Sequence, residues 1–345
     1  MNTKHLIITF ALLLGLTIQT GAQERTGVWS TAFYNLENLF DTEDDPDNRG
    51  DDEFLPTGPY AWTENKYQQK LANIARTLSE IGRPTCPVGP AIIGLAEVEN
   101  RRVLEDLVAR PELTPMTLRV IHYQSPDRRG IDVAMLYNPR LFRPDTSFVY
   151  PYNFPDEPEY VTRDILVVVG KMANEPFAAI VGHWPSRYGG EKSSVYRERA
   201  GQITRHIYDS LMVANPKTKV IICGDFNDDP SNKSCAEALG ASRKAKDTPK
   251  GGLFNATWPI YDRGIGTLCY QDSWNLFDQQ VVSQNLLTDE PRELKYWKAE
   301  VFNPPFLLNQ EGKYKGYPLR TFSGTVFQNG YSDHFPTIVY YKKSF

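Results

Sequence analysis

Cysteine is scarce in this sequence, and neither sign of charge dominates it. The 345 residues include four cysteines, whose spacings match no metal-binding or redox motif. The 38 Lys and Arg residues nearly balance the 42 Asp and Glu residues, for a net charge of −4. This balance excludes a protein that holds nucleic acid by electrostatics alone. An enzyme that contacts a polyanion transiently, through a metal ion, is compatible with it.

Long apolar runs are also rare, and the clearest one lies at the N-terminus. Lys4 and His5 precede the run LIITFALLLGLTI, and the small residues Thr20, Gly21 and Ala22 follow it. This pattern predicts a signal peptide over residues 1–22, cleaved near Ala22, and export to the periplasm or the extracellular space. The run is short for a membrane span, so we expect no stable membrane insertion; an N-terminal anchor helix is the alternative.

Export would permit disulfide bonds between the cysteines. Cys223 lies inside the apolar run VIIC, where we expect it to fill core space as a small hydrophobic residue. The pairing of Cys86, Cys235 and Cys269 stays open at this point.

Short apolar runs alternate with helical patterns along the rest of the chain. Tyr67, Leu71, Ile74, Leu78 and Ile81 fall on one stripe at helical spacing, and further helices are expected over RRVLEDLVAR and SSVYRERAGQITRHIYDSLMV. The segments with strand character are GVWSTAFYNL, PAIIGLAEVE, LRVIHY, IDVAMLY, ILVVVG, FAAIVGHW, KVIICGDF, SWNLFDQQVVS and FPTIVYY. This alternation predicts an α/β fold with a buried sheet core.

The composition predicts one loop-rich globular domain rather than a helical bundle, because 24 Gly and 25 Pro residues accompany 12% aromatic residues. We assign residues 23–345 to a single catalytic domain. Two long connections, residues 241–270 and 286–330, are rich in Gly, Pro and aromatic residues, and loops of this length in a compact domain are commonly functional.

Polar residues follow several of the predicted strands at the point where each strand ends. Asp225 and Asn227 come after VIIC, two residues apart, so both side chains point the same way if the strand geometry persists. A carboxylate can orient and deprotonate a water molecule while the neighbouring amide holds an oxyanion. Taken alone, the segment could also be a polar turn that ends at Asp229 and Pro230.

Four other segments carry polar residues at similar positions. Asn35 lies in FYNLENLF, Glu97 follows the strand IIGLA, His183 follows FAAIVG, and the pair Asp333 and His334 precedes the last strand. Each of these residues could be structural by itself. The five segments are all of one type, and this agreement favours a single site.

The ordered segments FYNLENLF, GLAEVEN, GIDVAMLY, GHWPS, GDFND, FDQQVVS and YSDHFP resemble the endonuclease/exonuclease/phosphatase superfamily. The resemblance covers essentially the whole chain after the predicted signal peptide, as a secreted bacterial member. It implies a deoxyribonuclease I-like α/β fold, a four-layer α-β-β-α sandwich of two packed mixed sheets flanked by helices. It also implies a site at the strand ends between the sheets, and hydrolysis of phosphoesters by metal-activated water.

The resemblance implies a metal site that takes Mg²⁺, with Mn²⁺ or Ca²⁺ as alternatives. Its implied ligands are Asn35, Glu97 and Asp333, and Asn35 also belongs to the implied phosphate-binding set with Arg163 and Arg187. Hard cations such as Mg²⁺ bind one or two carboxylates together with phosphate oxygens, which is consistent with this assignment.

The implied catalytic residues are Asp132, His183, Asp225, Asn227, Asp278 and His334. His183 and His334 would bracket the phosphate as acid, base or charge stabiliser, and each would be oriented by a carboxylate: Asp132 for His183, and Asp278 for His334. Such a pairing fixes the tautomer and favours the imidazolium. Both aspartates interrupt apolar strands, where a carboxylate rarely occurs without a partner.

The expected activity is that of a phosphodiesterase, most simply a nuclease, with nucleic acid or another phosphodiester as substrate and a monomeric enzyme. Gly130 stands where DNA-cutting members often carry a tyrosine, so DNA is not assigned. A phosphomonoesterase and a sphingomyelinase-type phospholipid phosphodiesterase are the alternatives on the same fold. A catalytically silent binding module is a further alternative, but it would be expected to have lost at least one of these site residues.

Overall fold

The computed structural model describes residues 25–46, 48, 50–152, 154, 157–188 and 190–345. The predicted signal peptide, residues 1–22, lies outside these residues. Within the described ranges, no helix is both long and apolar enough to cross a membrane.

The described residues form strands and helices in an alternating order. The strands are β1 (Thr26–Leu39), β2 (Ile92–Val98), β3 (Arg119–His122), β4 (Asp132–Tyr137), β5 (Phe142–Tyr150), β6 (Ile165–Met172), β7 (Glu175–His183), β8 (Lys219–Asp225), β9 (Ala241–Ser242), β10 (Leu253–Asn255), β11 (Leu268–Tyr270), β12 (Ser273–Asn275), β13 (Asp278–Ser283), β14 (Lys295–Val301), β15 (Phe322–Ser323), β16 (Val326–Phe327) and β17 (Thr337–Ser344). The α-helices are α1 (Glu64–Glu80), α2 (Arg101–Val108), α3 (Lys192–Ala214) and α4 (Trp258–Tyr261).

Two mixed sheets make up most of the described chain. The first has the strand order β14-β17-β1-β2-β4-β3, and the second has the order β5-β6-β7-β8-β13-β10-β9. In the first sheet, β1 pairs parallel with β2 and antiparallel with β17. In the second, β8 pairs parallel with β7 and antiparallel with β13. The resulting mixture of parallel and antiparallel pairs agrees with the predicted mixed sheets.

The two sheets pack face to face, and helices cover their outer faces. Phe33 and Met135 from the first sheet share one buried cluster with Val181 and Ile221 from the second. A second cluster joins the other face of the first sheet to α1 and α2, through residues such as Leu71, Ile74 and Leu104. A third joins the second sheet to α3, through Ala200, Ile207 and Tyr208. The predicted four-layer α-β-β-α arrangement is therefore confirmed.

Helix α1 shows why the sequence specifies these layers. All five residues of the predicted stripe are at most 2% exposed, and burying a side chain of this size stabilises the fold by about 1.5–3 kcal/mol. At the start of α2, Asn100 accepts a hydrogen bond from the backbone of Val103 at 3.1 Å, which satisfies one of the free amides of the first turn.

The four cysteines are all free thiols. Cys223 lies in the cluster between the two sheets, as its apolar surroundings predict. Cys86 and Cys235 are also buried, whereas Cys269 is partly exposed. The open question of disulfide pairing is thus answered by four unpaired thiols in this structure.

Candidate active site

Three site residues lie in one row across the second sheet. In the β7–β8 pair His183 is opposite Asp225, and in the β8–β13 pair Asp225 is opposite Asp278. All three residues are at most 2% exposed. Because the row stands where β7 and β8 end and β13 begins, strand pairing itself brings the imidazole and the two carboxylates to one edge of the sheet.

The first sheet contributes Asn35, which contacts the middle of this row. Its Nδ2 donates to Asp225 Oδ2 at 3.0 Å, and its Oδ1 accepts from the backbone of Glu37 at 2.9 Å. Ser332 Oγ donates to the carbonyl of Asn35 at 2.7 Å, which ties the end of β1 to the segment before β17. The site therefore lies between the strand ends of both sheets.

His334 and Asp278 form the closest ion pair of the site. His334 Nδ1 donates to Asp278 Oδ2 at 2.6 Å, and its Nε2 lies 3.9 Å from Asp225 Oδ2 and 3.8 Å from Asp333 Oδ1. Burial is the largest influence and disfavours the charged ring, but the three carboxylates together raise the pKa of His334 well above its ordinary value. His334 is therefore an imidazolium at neutral pH, and the predicted pairing with Asp278 is found in the structure.

His183 is held in the opposite charge state. Burial lowers its pKa well below the ordinary value, and the positive charges of Arg163, Arg129 and His334 lower it further. Its Nε2 lies 3.6 Å from Asp225 Oδ2, and its Nδ1 is buried without a hydrogen-bond partner among the described residues. A neutral imidazole thus stands on one side of Asp225, and an imidazolium stands on the other.

The expected pairing of Asp132 with His183 is not found in the structure. Asp132 Oδ2 instead accepts from His122 Nε2 at 2.8 Å, and its Oδ1 accepts from the backbone of Ser125 at 2.8 Å. The reason is strand register: His122 is opposite Ala134, so Asp132 is its diagonal neighbour on the same face of the first sheet. His183 belongs to the other sheet. The catalytic role assigned to Asp132 stays a prediction, and His122 is the partner that sequence reasoning missed.

Asp225 is the residue on which the site converges. Burial is the main reason that its pKa is raised to about 6; Asp278 raises it further, whereas His334 and the hydrogen bonds from Asn227 and Asn35 oppose the shift. A carboxylate with such a pKa is a stronger base near neutral pH than an ordinary aspartate.

Asn227 does not continue the strand, contrary to the simplest expectation. Strand β8 ends at Asp225, and Asn227 has a φ of 51°. Its backbone N–H donates to Asp225 Oδ1 at 2.9 Å, and its side-chain Nδ2 donates to the carbonyl of Trp184 at 3.0 Å. The direction of the Asn227 side chain is therefore set by the turn after β8 and not by the alternation of side chains along a strand.

Left-handed backbone recurs around the site. Glu37, Asn38, Glu97 and Asn227 have φ values of 50°, 54°, 61° and 51°. This conformation costs a non-glycine residue about 1–2 kcal/mol, and residues that keep it are often functional. At Glu97 this conformation coincides with a change of register between β2 and β4. The direction of the Glu97 carboxylate is therefore set by an irregularity in the strand.

Glu97 and Asp333 lie among other charged groups that sequence reasoning missed. Glu97 Oε2 accepts from the backbone of Asn38 at 3.0 Å, and Oε1 accepts from Arg129 at 3.2 Å. Asp333 Oδ2 accepts from Arg320 at 3.1 Å. The two predicted metal carboxylates therefore each form an ion pair with an arginine.

A buried acid–base network extends this charged group towards α1. Glu37 accepts from Arg320 Nε at 3.1 Å and from the backbone of Thr321 at 2.6 Å. Lys70 is fully buried, and its Nζ donates to Thr321 Oγ1 at 2.5 Å and to the carbonyl of Tyr331 at 2.6 Å. Burial lowers the pKa of Lys70 to about 8, although Glu37, Asp333 and Glu97 each favour its charged form.

Lys70 and Glu37, which sequence reasoning missed, each have a recognisable feature in the sequence. Lys70 falls on the apolar stripe of α1, three residues after Tyr67 and four before Ile74, where a lysine is unusual. Glu37 is two residues after Asn35 in the segment FYNLENLF.

The donor set around Glu97 and Asp333 fits a hard divalent cation, since it offers carboxylate and amide oxygens. Burial, together with the charge of Asp333, raises the pKa of Glu37 to about 7, and a cation bound beside these carboxylates would favour their charged forms. Another group, Asp225, Asp278 and His334, has atoms within 4.8 Å of one another. An imidazolium has no lone pair to offer a metal; the assignment of Glu97 and Asp333 as metal ligands stays a prediction.

The two arginines predicted to bind phosphate have different surroundings. Arg163 is buried, and it donates to Asp127 at 3.2 Å and to the carbonyl of Trp184 at 2.8 Å, close enough to His183 to lower the pKa of that ring. The guanidinium of Arg187 is held 3.3 Å from both Asp228 and Asp229. Contact of either arginine with phosphate stays a prediction.

A two-sheet sandwich with paired histidines, carboxylates and asparagines at its strand ends defines a class of hydrolytic enzymes that act on phosphoesters. A family model described as "Endonuclease/Exonuclease/phosphatase family" matches residues 30–343, and this chain belongs to that family. Its members hydrolyse phosphoester bonds and typically use divalent metal ions.

Solved structures support the fold. The chain is similar to an endonuclease/exonuclease/phosphatase family protein from Bacteroides thetaiotaomicron, with 17% identity, a TM-score of 0.54 and coverage of 93% of this chain and 96% of that one. Humanized D. rerio TDP2 has 12% identity and a TM-score of 0.54, with coverage of 91% of this chain and 98% of that one. The B. thetaiotaomicron mannosyl-6-phosphatase Bt3783 has 17% identity and a TM-score of 0.53, with coverage of 90% of this chain and 98% of that one. No curated protein matches the sequence.

Proposed function

We propose that this protein is a divalent-metal-dependent phosphodiesterase that hydrolyses its substrate by in-line attack of water. The observation that carries the proposal is the convergence of Asn35, His183 and His334 on the single carboxylate Asp225. The carboxylate has a raised pKa, and a neutral ring and a charged ring stand on either side of it. An enzyme that must accept a proton needs a basic group such as this carboxylate, and one that must stabilise negative charge needs a positively charged group such as this imidazolium.

The proposal assigns roles to Asp225, to His334 with Asp278, and to the predicted metal ligands. Asp225 orients the water and takes its proton as the new P–O bond forms. His334, held by Asp278, donates a hydrogen bond to the phosphoryl group and can protonate the leaving oxygen as the old P–O bond breaks. Asn35, Glu97 and Asp333 would hold the cation, Mg²⁺ before Mn²⁺ or Ca²⁺, which when bound would neutralise phosphate oxygens.

Neighbours on the same fold leave two kinds of substrate to be separated. One solved structure is D. rerio TDP2 complexed with a single-strand DNA product, with 12% identity and a TM-score of 0.53, and it favours nucleic acid as the partner. Bt3783 is a mannosyl-6-phosphatase, and it favours a phosphomonoester as the second candidate. We also propose that the protein is an exported monomer, on the strength of residues 1–22 and the composition of residues 23–345.

The test is a substrate panel with purified protein. Plasmid DNA, RNA, bis(p-nitrophenyl) phosphate, p-nitrophenyl phosphate and sphingomyelin are each assayed with Mg²⁺, Mn²⁺, Ca²⁺ or a chelator. We expect diester hydrolysis that the chelator abolishes. Turnover that is indifferent to the chelator would reject the metal-dependent mechanism, and cleavage of the monoester alone would replace the diesterase with the second candidate.

Two variants test the roles. Asp225→Asn and His334→Gln should each lower kcat by about 100-fold to 10,000-fold. The matched controls are Asp247→Asn and His206→Gln, at exposed positions, which should keep wild-type rates. If either site variant retained a rate near that of its control, the role assigned to that residue would be wrong.

A further inference from the structure

An acidic loop connects strand β1 to helix α1. Of the 13 residues from 41 to 53, eight are Asp or Glu and one is Arg. One carboxylate oxygen from each of Asp44, Asp51 and Asp52, the loop cluster, lies within 4.8 Å of the other two. Like charges at this separation repel one another, so a positive charge placed among the three carboxylates would stabilise the loop cluster.

No positive side chain among the described residues takes that place. The loop cluster forms no ion pair with any described Lys, Arg or His, whereas Asp41 and Glu43 beside it are both within ion-pair distance of Arg102. Arg102 is thus already paired with other carboxylates, and the described part of the chain leaves the loop cluster without a counter-charge.

Asp51 is the buried member of the loop cluster, at 2% exposed. Its Oδ2 accepts the backbone N–H of Asp45 at 2.7 Å, but its Oδ1 is buried without a hydrogen-bond partner from any other described residue. Burial raises the pKa of Asp51, and the charges of Asp44 and Asp52 raise it further. A buried carboxylate oxygen without a partner is destabilising, so Oδ1 is available to a ligand that brings positive charge.

The turn that carries Asp51 and Asp52 is anchored to the core. The carbonyl of Asp51 accepts the backbone N–H of Phe54 at 2.7 Å, and the ring of Phe54 stacks on Phe40 with centroids 4.3 Å apart. Asp44 and Asp52 are exposed, so an ion can reach the loop cluster from solvent. Ligands that are already held in place lose less conformational entropy on binding.

The carboxylate oxygens favour a hard divalent cation, and their spacing favours Ca²⁺ over Mg²⁺. Two oxygens on one Ca²⁺ can be up to about 4.6–5.2 Å apart, because each Ca–O distance is about 2.3–2.6 Å, whereas the limit for Mg²⁺ is about 4.0–4.2 Å. The oxygens of the loop cluster, within 4.8 Å of one another, can thus bind Ca²⁺ with little movement. Ca²⁺ also tolerates irregular geometry, which suits carboxylates from different parts of a loop.

We propose that Asp44, Asp51 and Asp52 form a calcium site that stabilises the acidic loop. Each residue supplies a carboxylate oxygen, and water completes the coordination on the exposed side. This site uses none of the residues assigned to the active site. It therefore goes beyond the proposed phosphoesterase function, and it can be tested without turnover.

The bound ion would also act on the edge of the active site. The acidic loop packs closely on the turn before β4, where a Cβ added at Gly50 would lie 2.1 Å from the carbonyl oxygen of Arg129. Arg129 in turn donates to Glu97 at 3.2 Å. A calcium ion that holds the loop in place would therefore hold the backbone of Arg129 beside this carboxylate.

The experiment measures calcium binding in a Glu97→Gln/Asp333→Asn protein, in which the predicted catalytic metal ligands are neutralised. Relative to a chelator, about 10 mM CaCl2 should raise Tm by at least about 3 °C, and equilibrium dialysis should give one bound Ca²⁺ per chain. MgCl2 at the same concentration should give less than half of this shift. The absence of a calcium-dependent shift would overturn the proposal, and an equal or larger shift with Mg²⁺ would overturn the choice of calcium.

Substitutions in the acidic loop locate the ion. In the same protein, Asp51→Asn and Asp44→Asn should each abolish the calcium shift. Because Asp51→Asn keeps an acceptor and removes a repelling charge, its Tm in chelator should not fall. Glu53→Gln, at an exposed position outside the loop cluster, is the matched control and should keep the full shift.

The wild-type protein gives a second reading, since Asp51→Asn alone should lower the number of bound Ca²⁺ ions per chain by one. A calcium shift that persists in either aspartate variant, or that is lost equally in Glu53→Gln, would overturn the proposal. Hydrolysis of the substrate panel does not enter these measurements, so the calcium site and the proposed phosphoesterase function can fail separately.

Discussion

Replacing Lys70 by methionine tests the buried charge network beneath the candidate site. Methionine keeps most of the length of the side chain but removes the charge and the donors. Thr321 Oγ1 and the carbonyl of Tyr331 would lose their contacts with Nζ, and Glu37 would lose a nearby cation. Removing one partner of a buried charged group costs about 3–5 kcal/mol, so we expect the free energy of unfolding to fall by that amount.

The loss should also depend on pH. Burial and Asp333 raise the pKa of Glu37 to about 7, and Lys70 opposes this shift; without Lys70 the pKa moves higher. When the pKa of a carboxyl is higher in the folded state than in the unfolded state, its contribution to stability is fully present at a pH below the unfolded-state pKa. This contribution is lost as the pH rises through the folded-state pKa. In the wild type the loss levels off above pH 7, but in the variant, where the pKa of Glu37 is higher, it continues to higher pH. The penalty should therefore be greater at pH 8 than at pH 6.

The measurement is equilibrium unfolding in urea at pH 6 and pH 8, followed by tryptophan fluorescence in the presence of a chelator. Lys192→Met, at an exposed position in the first turn of α3, is the matched control and should stay within about 0.5 kcal/mol of the wild type. A Lys70→Met protein as stable as this control would refute the idea that the network is a stabilising feature. A penalty equal at both pH values would refute the coupling to Glu37.

Three further predictions follow from the site and its surroundings. Asp278→Asn should lower kcat/KM at least 100-fold and lower the pKa of His334, as read from an NMR titration of the imidazole; an unchanged pKa would contradict the pairing. His122→Gln and Asp132→Asn should reduce stability by a similar amount, about 1–3 kcal/mol; a large loss of kcat for the aspartate variant alone would support its predicted catalytic role, and rates near the wild type for both variants would contradict it. A thiol reagent at pH 8 should modify Cys269 first in the native protein, because burial raises the pKa of the other three thiols; rapid reaction of two or more thiols would show that the core is less closed than described.

The layers of the fold could be predicted because apolar periodicity reports burial directly. The stripe on α1 and the apolar runs of the central strands are all found where the sequence places them. Of the longer strands, β5 and β14 were missed, and both are edge strands; the short strands β9, β10, β11, β15 and β16 were also missed. The segments of β5 and β14, FRPDTSFVY and KYWKAEV, carry charges and are for the most part only half-buried or exposed, so they lack the apolar signal on which strand prediction depends.

The site residues could be located, but their partners could not all be predicted. The pairing of Asp278 with His334 was expected and is present, whereas Asp132 binds His122 because of the β3–β4 register. Register depends on which strands become neighbours, and a local motif does not encode it. Lys70 was missed for a related reason, since its position on the buried stripe is visible but its partners lie more than 250 residues away.

The opposite charge states of the two histidines illustrate what this register achieves. His183 and His334 are both buried, and burial alone would leave both rings neutral. The second sheet places His183 opposite Asp225 in the β7–β8 pair, while Asp278, the other neighbour of Asp225, bonds to His334. His334 thus has a carboxylate at hydrogen-bonding distance and His183 does not. A shift of β13 by one residue would turn Asp278 to the opposite face of the sheet, and the largest of the influences that raise the pKa of His334 would be lost. The two histidines of the candidate site are therefore distinguished by strand pairing rather than by residue type.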